Sequence, residues 1–207
     1  MNKKAVSQKT TGNLLRGLAV FAGAALVAGA VCMTARALRK EAGRQTAAVI
    51  VSAMEAILPE RTSGVPEPHY GGAMPRASVG GEDFVGLLEI PAYNIRLPVG
   101  AAWEADDIER FPRVYRGDIY SNTLMIGGSS AQIYCYRDID IGAPVYFTDL
   151  YGQVYAYEVS MVNHVSKEAS VVSKGEALTL FVRAGFPAKL TDHKPYTVIR
   201  MRIKDGA

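Results

Sequence analysis

Only two cysteines, Cys32 and Cys135, occur in 207 residues, so the chain has no disulfide framework to hold it together. Its three histidines, His69, His164 and His193, do not fall at zinc-ligand spacing with them. The acids Asp118, Asp138, Asp140 and Asp149 are scattered, and neither a metal nor a cofactor is expected. Glycine pairs at Gly80-Gly81 and Gly127-Gly128 lack the flanking pattern of a phosphate-binding loop. Basic residues are not interleaved with aromatics, which removes the case for a nucleic-acid partner. Ser129 and Ser130 follow two glycines, but the Gly-x-Ser-x-Gly elbow of serine hydrolases is missing. No internal repeat is present. What remains is 49% hydrophobic and 21% charged, the balance of an ordinary globular protein with room for one domain and an N-terminal segment.

Charge is unevenly placed. Residues 1–45 carry a net +7, from Lys3, Lys4, Lys9, Arg16, Arg36, Arg39, Lys40 and Arg44 against Glu41, which leaves −4 for the rest of a +3 chain. The basic residues flank an uncharged run, Gly17 to Ala35, with Leu14 and Leu15 extending it. As a helix this run is about 28 Å long, close to the roughly 30 Å hydrocarbon core of a bilayer. A single transmembrane helix over 14–38 is expected, behind a basic segment over 1–13, with membrane lipid as its partner. Two processed alternatives stand beside it. Ala28-Gly29-Ala30 offers a signal-peptidase site, and Cys32 offers a lipoprotein cysteine, although Val31 departs from the small residue such a site requires. Basic residues on both flanks leave the orientation open.

Residues 39–60 continue with helix formers, and Ala48, Val49, Val51, Met54, Ile57 and Leu58 recur at near-helical spacing before Pro59. A juxtamembrane helix is expected there. Residues 61–82 are rich in proline and glycine and read as an extended linker, with His69 and Tyr70 solvated within it. From residue 83 to 207 the period shortens to strands: Phe84–Ile90, Ile95–Val99, Leu124–Ile126, Val145–Thr148, Val154–Val162, Leu178–Val182 and Thr197–Ile203. Tyr151-Gly152 after Asp149 marks a tight hairpin. Short helices are expected at Trp103–Phe111 and Ile133–Ile139. Seven or eight short strands with few helices predict a mostly β domain, a closed or nearly closed barrel.

These strand sequences resemble the sortase family, especially the class B-like sortases of Gram-positive bacteria. FVGLLEIPAYNIRLPVG (84–100) resembles the family's opening pair of strands, with Pro91 and Pro98 in its turns. Trp103 and PRVYRGDIYSNTLMIGG (112–128) continue the match, GAPVYFTDLYGQVYAYEV (142–159) resembles the next hairpin, and LTLFVRA (178–184) and YTVIRMR (196–202) resemble the last two strands. The resemblance implies a sortase-like β-barrel on the outer side of the cell membrane, with a sorting-signal-like peptide or an envelope protein as partner. Sortases are thiol transpeptidases that need a thiolate, a histidine to protonate the leaving amine and an arginine for the oxyanion. Here the three motif positions differ. Where the family reads Ala-Gly-His-Asn, this chain has Gly127-Gly128-Ser129-Ser130, so Ser129 stands at the histidine. Where it reads Thr-Leu-x-Thr-Cys, Arg183 stands at the cysteine. Tyr196, or Lys194 two residues earlier, falls at the arginine.

Serine does not shuttle protons near neutral pH and arginine is never deprotonated in proteins. A guanidinium at Arg183 can instead hold a carboxylate or a carbonyl, or simply pair with an acid such as Asp192 at a strand end. The expectation is a catalytically inactive sortase-like protein that binds peptide or protein. The alternative is a divergent cysteine transpeptidase with a relocated pair, Cys135 and His193. Against it, Cys135 lies in the apolar run Ile133-Tyr134-Cys135-Tyr136, where a buried thiol behaves as a small hydrophobe. His164 reads as a surface or turn residue. Calcium, used by some sortases, has no recognisable acidic cluster here. A degenerate domain acting only as a spacer is the third reading.

Overall fold

The computed structural model describes residues 33–34, 38, 41–42, 45–60, 62–63, 73–104, 108–166, 176–185 and 195–204. The chain divides into two units, Met1–Ala42 and Gly43–Ala207. In the first, residues 33, 34, 38, 41 and 42 are helical. The apolar run expected to span a membrane lies almost wholly outside the described residues. No helix among the described residues is long and apolar enough to cross one.

The second unit opens with helix α1, residues 45–57, and Leu58 donates its amide to the Met54 carbonyl at 2.9 Å before Pro59 ends the helix. Ten strands follow. β1 (Thr62–Ser63) and β2 (Ala77–Val79) are short edge pieces, both lying in the segment 61–82 expected to be linker. The hairpin of β2 with the next strand turns on Gly80 and Gly81, at φ 61° and 83°, a conformation glycine adopts without strain. The remaining eight are β3 (Glu82–Ile90), β4 (Ile95–Gly100), β5 (Arg113–Arg116), β6 (Leu124–Ser129), β7 (Pro144–Asp149), β8 (Gln153–Val165), β9 (Leu178–Arg183) and β10 (Tyr196–Ile203). They pair in the order β3-β4-β5-β6-β9-β10-β8-β7, and β7 returns to β3, so the sheet closes on itself. β4 with β5 and β6 with β9 are parallel pairs, and the other contacts around the ring are antiparallel. The expected barrel is therefore present, with seven of its strands where the short runs between turn residues placed them. β5 was not foreseen.

Neither of the two helices expected at Trp103–Phe111 and Ile133–Ile139 is found among the described residues, residues 105–107 lying outside them. Residues 133–139 form turns: the Tyr136 and Asp138 amides reach back only three residues, to the Ile133 and Cys135 carbonyls, at 3.3 and 2.9 Å. Two tyrosines and an aspartate in this stretch are poor helix formers, and the tertiary contacts of Ile133, Cys135 and Ile139 with the core decide its path. Residues 108–111 are likewise turns, and 103–104 are irregular.

Alternation fills the barrel from inside. Leu124 and Ile126 of β6, Leu178, Leu180 and Val182 of β9, and Ile199 and Met201 of β10 join one buried core with residues of β3, β4, β7 and β8. α1 covers part of the outside, burying Ile50, Val51 and Met54 against Phe84, Leu87 and Phe111. Each such side chain removed from water contributes about 1.5–3 kcal/mol. Arg96 of β4 pairs with Glu55 of α1 and, at 2.7 Å, with Glu89 of β3. Both ends of the Arg96–Glu55 pair are more than a third exposed, so it orients the helix more than it holds it.

Candidate functional site

The outward residues of four neighbouring strands form a grid set by the register. Ser129 of β6 lies opposite Arg183 of β9, which lies opposite Tyr196 of β10, which lies opposite Val165 of β8. One step along, Gly127, Phe181, Val198 and Asn163 form the next row. The three positions that the sequence singled out, spread over residues 129 to 196, thus form one row on one face, with Ser129 and Tyr196 on either side of Arg183. Parallel pairing of β6 with β9 is what brings them together.

Hydrogen bonds pin the end of this row. The Ser130 amide donates to the Arg183 carbonyl at 3.0 Å, and the Ser130 hydroxyl accepts from the Gly185 amide at 2.8 Å. The Ala184 amide donates to the Pro195 carbonyl at 2.8 Å and ties β9 to the start of β10. Ser129 is 5% exposed. Its hydroxyl accepts from the Ala131 amide at 3.3 Å, and its carbonyl accepts from the Gln132 and Ile133 amides at 3.1 and 3.0 Å. Ser129 and Ser130 therefore shape the turn after β6. Arg183 and Tyr196 are half-buried.

Beneath the row the face is apolar and covered. Phe181 and Val198 are buried, packed with Met125, Trp103, Tyr115, Val165 and Tyr196. Trp103 meets Tyr115 edge-on at 4.9 Å and Phe181 at 5.4 Å. Gly127 makes this possible, because a Cβ there would come within 2.3 Å of the Trp103 ring and 2.6 Å of the Phe181 ring. Sequence reasoning named Trp103 and the glycine pair but not their contact. The one tryptophan beside a strand with glycine at an outward position was the available signal.

The relocated-pair candidates fall elsewhere. Cys135 is 5% exposed and belongs to the barrel core with Ile133 and Ile139. Burial, with a smaller contribution from Asp138, pushes its thiol up to about 11, so it carries almost no thiolate at neutral pH. His193, Lys194 and Asp192 lie outside the described residues. His164 is exposed on β8, and its Nδ1 lies 2.9 Å from the Thr197 hydroxyl, one register position away from the row. No cluster of three or more histidine, cysteine, aspartate or glutamate side chains suited to a metal exists among the described residues. A separate cleft of about 410 Å³ lies between α1 and β4, lined by Ala47, Ala48, Ile95, Leu97, Gln132 and Tyr134 among others.

No family model matches the sequence, and no curated protein matches it. Solved structures do. Sortase A from Corynebacterium diphtheriae is 18% identical, with 82% of this chain and 84% of that one covered at a TM-score of 0.50. Sortase A of Listeria monocytogenes is 19% identical, over 59% of this chain and 88% of that one, at 0.48. A Clostridium perfringens sortase C, solved with the C-terminal cell wall sorting motif, is 18% identical over 60% and 72%, at 0.48. The chain has a sortase-like fold. At these identities the likeness is one of fold, and these matches are of types A and C, so it does not single out the class B-like sortases. In this sortase-like barrel, Ser129, Arg183 and Tyr196 stand together where β6, β9 and β10 meet.

Proposed function

We propose that this protein is a membrane-anchored, sortase-like module that works outside the cell by contact rather than by transpeptidation, binding a peptide or an envelope protein during surface-protein assembly. The observation that carries this reading is the row Ser129–Arg183–Tyr196, which offers neither a thiol nor an imidazole. A serine hydroxyl needs an adjacent general base to act as an acyl acceptor, and the guanidinium and phenol in this row supply none near neutral pH. The same row suits recognition: a guanidinium binds a peptide carboxylate or carbonyl, and a tyrosine hydroxyl adds a second polar contact. A Clostridium perfringens sortase C has been solved with a sorting motif, which makes a sorting-signal-like peptide the first ligand to try. The N-terminal apolar run, 14–38, would hold the module at the membrane.

The buried state of Phe181 and Val198 favours a second reading, in which the face is closed and the domain is a spacer. The enzyme alternative has less support, since Cys135 is buried and its thiol is protonated. Incubating the full chain in detergent micelles with sorting-signal peptides, with and without an amine acceptor, separates the three by mass spectrometry and binding. Binding without cleavage is the expected result, weakened in Arg183→Ala. Cleavage that disappears in Cys135→Ala would overturn the reading in favour of the enzyme. Absence of both binding and cleavage would leave the spacer.

A further inference from the structure

The seat of Trp103 has the construction of a binding site. It is open at Gly127, where any side chain would collide with the indole, and it is walled by two rings. Tyr115 stands at 4.9 Å and 89° to the indole, Phe181 at 5.4 Å and 48°, and the two walls meet each other at 5.0 Å and 83°. The occupant is attached differently from the walls. Tyr115 and Phe181 belong to β5 and β9, whereas Trp103 lies in the irregular segment after β4, is partly exposed, and has no side-chain hydrogen bond among the described residues. Packing against the Tyr115 and Phe181 rings and against the apolar cluster of Met125 and Val198 holds it, with no polar anchor among the described residues. The floor beneath it is one register step from the Ser129–Arg183–Tyr196 row, so an empty seat would open directly onto that row.

The backbone restricts how a ligand can use this face. β6 is already paired with β5 and β9, and β9 with β6 and β10. A peptide therefore has no strand edge to join here and must bind through side chains set into the face. We propose that Trp103 occupies the seat of a large aromatic side chain from an extended partner peptide, and that the partner's side chain displaces it. The proposal rests on the recognition reading above and names its ligand class. A seat complementary to an indole, with edge-on rings on two sides, favours an aromatic group over an aliphatic one. The competition between internal and external occupants makes the site cryptic: apparent affinity is reduced by the fraction of chains in which Trp103 is seated.

The single tryptophan of the chain makes the exchange visible. The full chain in detergent micelles, grown with 5-fluorotryptophan, gives one fluorine resonance from this position. Three glycine-flanked, acetylated and amidated peptides serve as probes, with tryptophan, leucine or glycine at the centre. The tryptophan peptide is expected to move the resonance saturably to its solvent-exposed position, and the leucine peptide to do so at least about tenfold more weakly. In Trp103→Ala, calorimetry is expected to show the tryptophan peptide binding at least about tenfold tighter than to the wild type, the competing occupant being gone. Trp103→Leu, which keeps the seat partly filled, is expected to fall between them and guards against a poorly folded alanine variant. Binding that leaves the resonance in place would overturn the displacement while leaving the recognition reading intact. Equal displacement by the leucine peptide would overturn the ligand class. No binding to the wild type or to either folded variant would overturn both the seat and the recognition reading.

Discussion

Gly127→Ala tests whether the contact between Trp103 and the outer face is as close as described. The added Cβ would lie 2.3 Å from the indole and 2.6 Å from the Phe181 ring, both far inside van der Waals contact. Neither ring has room to retreat inward, because Phe181 is 1% exposed and packed on the sheet. The indole is the side that gives way, since it lies outside the strands. Overpacking of this kind costs about 1–3 kcal/mol. For a domain of this size each kcal/mol lowers the melting temperature by about 2–4 °C. Thermal unfolding of the full chain in micelles, followed by near-ultraviolet circular dichroism, measures the loss. Tryptophan emission reads the cause, since an expelled indole emits at longer wavelength. In a Trp103→Ala background the cost of Gly127→Ala is expected to shrink by about 1 kcal/mol or more, because the nearer clash is gone and contacting residues couple by that order. A variant with unchanged melting and unchanged emission, or a cost identical in both backgrounds, would refute the packing argument and with it the seat.

Three further outcomes are expected. In a Cys32→Ser background, Cys135 should resist a disulfide reagent at pH 7–8 and react only as the chain unfolds, because its thiol is buried and pushed up to about 11; fast stoichiometric labelling of the folded chain would contradict this. Met54, fully buried on the inner face of α1, should cost about 2–5 kcal/mol when replaced by alanine, and protease sensitivity should rise within 45–57 if that helix is the element released. Asp149 is buried and accepts from the Tyr151 and Gln153 amides at 2.9 and 3.0 Å and from the Tyr120 and Tyr155 hydroxyls at 3.4 and 3.3 Å. Burial outweighs these bonds and raises its carboxyl pKa. The folded state then binds the proton more tightly than the unfolded chain, so stability falls as pH rises from the ordinary carboxylate value of about 4 through the folded one. Asp149→Asn removes this dependence, and its melting temperature relative to wild type should increase with pH over that window; a flat or falling difference would sink the assignment.

Most of the barrel was legible in short runs between turn residues. Alternation is clear at 154–162, while the runs at 84–90, 124–126 and 178–182 are short, nearly continuous apolar stretches that read as strands whose two faces are both covered. β5 escaped because Arg113–Arg116 is four residues long, and two arginines obscure its alternation. Its buried arginine is tolerated because Glu82, 31 residues away, pairs with it at 3.0 Å, the Ala102 carbonyl accepts from it at 3.3 Å and Phe111 receives the guanidinium face at 4.7 Å. The stretch from 133 to 139 looked helical because its apolar residues recur every few positions. Its backbone instead follows the contacts of Ile133, Cys135 and Ile139 with strands far away in sequence.

The residue types at the three motif positions were readable from the chain alone, and so was what they lack: serine, arginine and tyrosine do not supply the thiol and imidazole of acyl transfer, whatever the fold around them. Composition likewise settled that the N-terminal basic charge brackets an apolar run. Only the tertiary structure placed Ser129, Arg183 and Tyr196 side by side, because strand register is a pairing between segments that no local pattern records. Only it turned Gly127 from a glycine in a strand into the floor of an indole seat, since that role depends on where Trp103 comes to rest. Side-chain chemistry is local and travels with the sequence. Proximity across a closed sheet is not, and it arises when the whole barrel buries its core at once.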